Sequence, residues 1–125
     1  MNQLFSWVEI PALDIERAAK FYGQLLEREV TITDLPHGRW AMLYFEPDKV
    51  GGSLLQATDF KPSNQGQGPH VFLNAGRGTD LEKMIERVRS LGAEIVSPVT
   101  PMGEDGRFAS FKDTEGNILS LFAEH

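Results

Sequence analysis

The chain has no cysteine. That excludes disulfides, a thiolate nucleophile and zinc held by Cys. It has no apolar run approaching the roughly 20 residues of a membrane-spanning helix. It also lacks a Lys/Arg cluster: 12 basic residues stand against 18 acidic ones, for a formal net charge of −6. A chain of that balance is not built to hold nucleic acid or an anionic membrane surface. The opening MNQLFSWVEIP has neither the basic start nor the long apolar stretch of a secretion signal, and a cytoplasmic location is the expectation. What remains is 125 residues, 41% of them apolar. That suits one globular domain able to bury a core without staples.

The chain repeats itself. FSWVEIP (5–11) reads as a short strand, and Asp14 then stands at an N-cap position. Ile15, Ala18, Ala19 and Tyr22 keep the i, i+3, i+4, i+7 spacing of one helix face. In the second half HVFLN (70–74) reads as a strand, and Thr79 with Glu82 reads as a capping box. Leu81, Met84, Ile85 and Val88 follow at helical spacing, and Gly92 supplies a stop. Each member of the second helix face lies 66 positions after its counterpart in the first. WAMLYFEPDKVGGSLLQ (40–56) and RFASFKDTEGNILSLF (107–122) both read strand, turn, strand.

Two copies of a β-α-β-β-β unit follow from this. Module 1 spans about 1–62, a polar linker about 63–68, and module 2 about 69–125, within one domain. Alternation along each first strand sends Val8 and Ile10, or Val71 and Leu73, toward the helix. Phe5, Trp7 and Glu9, or His70, Phe72 and Asn74, then share the opposite face. The expected fold is α+β, with two tandem modules forming a concave mixed-sheet pocket.

SWVEIPALDIERAAKFY, the GGSLLQ strand and above all FKDTEGNILSLF resemble the vicinal oxygen chelate superfamily. That group includes glyoxalase I, bleomycin-resistance and fosfomycin-resistance proteins and extradiol dioxygenases. The resemblance covers essentially the whole chain. It implies the paired-module fold, a small-molecule ligand and, as in many members, a homodimer. Metal-using members place ligands on the first and last strand of each module. By spacing from the motifs, these positions fall on Trp7 and Gln56 in module 1 and on His70 and Ser120 in module 2. Glyoxalase-type members carry His or Glu there.

Among these four, only His70 is a strong metal donor. An indole N–H donates and cannot ligate, and Gln and Ser are weak neutral oxygens. Catalytic zinc takes three strong protein ligands, and non-heme iron takes two His and a carboxylate. No metal or other cofactor is therefore expected. The fallback is a divalent ion on His70, Glu9 and Gln56.

Two functional readings stand together. One is a metal-independent lyase- or isomerase-like enzyme of the glyoxalase-related branch. Its pocket is lined by Trp7, Gln56, His70, Phe72 and Ser120. Glu9 is its catalytic candidate, because a carboxylate desolvated beside Trp7 and Phe5 serves acid–base chemistry. The other is a non-catalytic, drug-sequestering protein of bleomycin-resistance type, in which Trp7 is a stacking wall. A metal-dependent glyoxalase or dioxygenase comes third. The plain alternative for Glu9 is an ion pair, with Arg107 as partner, or a place in a dimer interface.

GRGTD (76–80) lacks the full glycine spacing of a phosphate loop, and Asp80 would repel a phosphate, so it reads as a turn. PVTPMGEDGR (98–107) reads as a Pro/Gly-rich loop with Met102 near its centre.

Overall fold

The computed structural model describes residues 4–63 and 69–125. Most of the expected linker therefore lies outside the described residues. The chain divides into two compact units, Met1–Pro62 and Ser63–His125. Each is a β-α-β-β-β module.

Unit 1 runs β1 (Trp7–Pro11), α1 (Ile15–Leu26), β2 (Ile32–Leu35), β3 (Gly38–Tyr44) and β4 (Gly51–Gln56). The strand order is β1-β4-β3-β2, with β1 parallel to β4 and the other pairs antiparallel. Asp14 caps α1, its carboxylate accepting from Glu16 N at 3.1 Å and Arg17 N at 3.2 Å. The helix then buries Ile15, Ala18, Ala19 and Tyr22, the face its spacing implied, together with Phe21 and Leu25. Ile10 and Leu54, cross-strand partners, supply the sheet side of that core.

Unit 2 repeats the plan with β5 (Phe72–Arg77), α2 (Leu81–Ser90), β6 (Glu94–Met102), β7 (Gly106–Lys112) and β8 (Ile118–Glu124), in the order β5-β8-β7-β6. Leu81, Ile85 and Val88 of α2 pack in a core that includes Phe111 and Leu121. The cap of α2 differs from the expectation. Asp80, not Thr79, is the N-cap and accepts from Lys83 N at 3.1 Å. The Thr79 hydroxyl donates to Ala75 O instead, at 2.5 Å. Gly92 takes a left-handed φ of 90° just past the helix, as a stop requires.

Residues 98–102 are strand rather than loop. β6 carries Pro98 and Pro101 through to Met102. This is tolerated because β6 is the edge strand, where a missing N–H faces no neighbour, and because its register slips between Ser97 and Thr100.

The D-x-E-G-N motif builds the β7–β8 turn. Asp113 Oδ1 accepts from Glu115 N at 2.8 Å and Asn117 N at 2.9 Å, and Oδ2 accepts from Asn117 Nδ2 at 3.0 Å. Gly116 supplies the left-handed φ of 98° at the corner. Asp113, Glu115 and Asn117 are all buried. The motif's specificity is thus that of a self-satisfied turn which sets the register of β8.

Candidate functional site

In unit 1 the sheet face away from α1 carries an aromatic group fixed by polar contacts. Trp7 lies across β4. Its Nε1–H donates to Ser53 Oγ at 2.8 Å, and the Ser53 hydroxyl is placed to donate onward to Glu9 Oε2 at 3.3 Å. Indole can only donate and a hydroxyl has one proton, so the chain runs one way, Trp7 to Ser53 to Glu9. Gly51 makes the arrangement possible: a Cβ there would stand 2.6 Å from the Trp7 ring. Trp40 stacks on Trp7 with centroids 6.4 Å apart and planes 22° apart, and Phe45 lies at 6.4 Å, tilted by 42°. Trp7 and Trp40 are half-buried, and Phe45 is 63% exposed.

Glu9 is exposed. The burial expected of it beside Trp7 and Phe5 is not found within unit 1. Burial requires neighbours on several sides, and Glu9 stands on β1, the edge strand of the unit 1 sheet. The Arg107 guanidinium, the partner considered for Glu9, donates from Nη2 to Thr79 O at 2.6 Å within unit 2.

Gln56 is placed away from this group. On β4 side chains alternate, so Ser53 and Leu55 share the Trp7 face while Leu54 and Gln56 point to the helix side. The Gln56 amide oxygen accepts from Ile15 N at 2.8 Å, satisfying a first-turn donor of α1. It borders a polar cleft of about 500 Å³ at the β2–β3 turn, beside His37, Arg39 and Lys61. Arg39 is engaged there by Asp34 at 3.0 Å and by Glu16 at 3.4 Å. The Asp34 hydrogen bond is the first cause holding the guanidinium still more firmly protonated than usual. The residue of unit 1 that matches Ser120 in register is Ser53: Ser53 stands opposite Glu9, and Ser120 stands opposite Phe72.

In unit 2, His70 precedes β5, and its Nε2 lies 2.7 Å from Ser120 Oγ. Ser120 Oγ is 2.6 Å from Ser110 Oγ. The His70 ring stacks on Phe72 with centroids 4.4 Å apart, and Phe108 meets Phe72 edge-on at 6.3 Å. The structure therefore brings His70, Phe72 and Ser120 together and adds Ser110 and Phe108. A His–Ser contact of this length is the geometry of a base and a nucleophile. Ser120, however, is 0% exposed, with its hydroxyl held between His70 and Ser110.

Among the described residues no group of three His, Cys, Asp or Glu side chains is placed to hold a divalent metal ion. Of the fallback set, Gln56 has its oxygen committed to α1 and lies on the helix side of its sheet. Trp7 Nε1 donates to Ser53 Oγ, and an indole N–H has no lone pair for a metal.

The sequence matches the family model of the Glyoxalase/Bleomycin resistance protein/Dioxygenase superfamily over residues 4–121. The chain belongs to that superfamily. No protein of curated function matches the sequence. Solved structures of the superfamily share the fold. A glyoxylase/bleomycin resistance protein/dioxygenase domain from Frankia sp. EAN1pec superposes with a TM-score of 0.75 at 17% identity, covering 98% of each chain. The fosfomycin resistance protein FosX from Listeria monocytogenes gives 0.70 at 15% identity, over 100% of this chain and 93% of that one. An E144Q mutant of glyoxalase I from Zea mays gives 0.71 at 20% identity, but this chain spans only 43% of its length. At these identities the likeness is one of fold. Within the superfamily fold, no helix among the described residues is long and apolar enough to cross a membrane.

Ser53, Gly51, Ser110 and the aromatic companions Trp40 and Phe45 were not singled out from sequence as site residues. The one available signal was the GGS at the head of β4, where two glycines and a serine interrupt an apolar strand.

Proposed function

We propose that this superfamily member is a small-molecule-binding protein that captures its ligand by stacking on an aromatic sheet face and changes no bond. The observation that carries this reading is Trp7, laid over Gly51 and locked to Ser53 at 2.8 Å, with Trp40 and Phe45 beside it. A rigid indole with a fixed edge is a binding surface prepared at little entropic cost. The polar atoms around it satisfy one another. The indole N–H and the Ser53 hydroxyl are thereby turned toward the protein and not toward a bound ligand.

A metal-independent lyase- or isomerase-like reaction is the second reading. One observation favours it: Ser53 holds one oxygen of Glu9 at 3.3 Å and so orients the carboxylate.

The test is ligand screening by thermal shift and by the NMR signal of the Trp7 indole N–H, on wild type and Trp7→Leu. Incubation with an α-keto thiohemiacetal, with and without added nickel or zinc, runs in parallel. Ligands that move the Trp7 signal, lose affinity on Trp7→Leu and emerge chemically unchanged bear the proposal out. Turnover abolished by Glu9→Gln replaces it with the second reading.

A further inference from the structure

We infer that the ligand of the Trp7 face is a small organic cation, an ammonium group carried on an aromatic or compact apolar body. The inference rests on the binding reading above and names the chemistry of that same site.

The four strands of unit 1 carry three charged residues, Glu9, Asp34 and Arg39. Asp34 and Arg39 are cross-strand partners, and Arg39 reaches Glu16 of α1, so both belong to the helix side. Glu9 is thus the one charge that these strands present on the opposite face. It is a carboxylate with one oxygen anchored by Ser53. Around it the face is aromatic or uncharged: Trp7, Trp40, Met42 and Leu55, with Phe45 at its margin.

Indole and benzene faces are electron-rich and attract cations, Trp most strongly. A carboxylate adds a directional charge at the edge of the same surface. An anion would meet repulsion from both features. A neutral ligand would gain only stacking and burial. The Arg28 guanidinium of this unit is already seated elsewhere, 5.0 Å over the Tyr44 ring and bonded to Leu43 O. It offers the Trp7 face no competing charge.

Three soluble probes sharing one ring separate the terms: benzyltrimethylammonium, benzyl alcohol and benzoate. Each is titrated into the full chain at two salt concentrations, followed by the Trp7 indole N–H signal on wild type and Glu9→Gln and by thermal shift on wild type, Glu9→Gln and Trp7→Leu. Sedimentation at the same protein concentrations reports the oligomeric state. The cation should bind about tenfold more tightly than the alcohol, and benzoate should bind most weakly. Glu9→Gln should remove most of the cation's advantage without changing the alcohol's affinity, and salt should shrink it too. Trp7→Leu should weaken all three.

Equal affinity for the three probes overturns the cation inference and leaves the binding reading standing. A Trp7 signal that no probe moves overturns both. The same holds if that signal follows protein concentration instead, because the face then belongs to a second copy of the chain.

Discussion

Trp7 and Gly51 occupy one volume in the sheet of unit 1: the indole lies where a side chain at residue 51 would start, with a built Cβ 2.6 Å from its ring. The residue that provides the aromatic surface therefore depends on a residue that provides nothing but space. Gly51→Ala must displace the ring or the neighbouring Tyr44 carbonyl, which the same Cβ would also meet. The expected cost is about 1–3 kcal/mol, read by denaturant unfolding, with loss of the Trp7–Ser53 bond read by the indole N–H shift. Wild-type stability with an unmoved indole signal would show that the ring does not rest on Gly51.

Ser53 accepts from Trp7 and faces Glu9 while fully buried. Ser53→Ala leaves the indole N–H without its partner, for an expected loss of about 1–3 kcal/mol. It should also free the Trp7 ring, lowering its fluorescence anisotropy. If stability and anisotropy both stay at wild-type values, Ser53 does not position the ring.

Asp113 satisfies two backbone N–H groups and the Asn117 amide within a buried turn. Asp113→Ala should cost more than Ser53→Ala, about 2–4 kcal/mol, because three buried donors lose one shared acceptor together. Hydrogen exchange should rise first in β7 and β8, the strands this turn joins. Uniform exchange across both units, or no loss of stability, would contradict the assignment of the motif to the turn.

Tyr44 donates its hydroxyl to the Glu46 carboxylate, and this bond is the first cause raising its pKa above the ordinary 10.0. Burial and the Glu46 charge act in the same direction, and Arg28 opposes them. The folded chain thus holds the phenol proton more tightly than the unfolded chain does. The stabilisation is fully present below about pH 10 and is lost as pH rises through the folded value. NMR of ring-labelled tyrosine should place the Tyr44 midpoint above 10.0, and Glu46→Ala should lower it toward that value. A midpoint indifferent to Glu46→Ala would remove the bond from the account.

The repeat, the helices and the class of fold were legible in the sequence because each rests on a local period. Ile15, Ala18, Ala19 and Tyr22 are buried for the reason their spacing implied, and Asp14 caps where its chemistry places it. The family motif was legible too, since D-x-E-G-N forms its hydrogen bonds within five residues. Two elements were obscured by local rules that the sheet overrides. Pro98 and Pro101 looked like loop, yet an edge strand with slipped register accepts them. Thr79 and Asp80 were both capping types at adjacent positions, and only the backbone trace chose between them.

The site divides along the same line. Sequence alone determined that Trp7 and Glu9 share a face and that His70 and Phe72 do, because alternation along one strand is local. It could not determine which residue of another strand meets them. Counting from motifs pointed to Gln56 as the counterpart of Ser120. In the folded chain Trp7 and His70 lie 63 residues apart while Ser53 and Ser120 lie 67 apart, because the connections of the two units differ in length. A side chain's face reverses with every residue of register, so an error of three positions sends Gln56 to the helix and leaves Ser53 beneath the indole. Cross-strand register is fixed by hydrogen bonds between distant segments, and only the tertiary structure decides it.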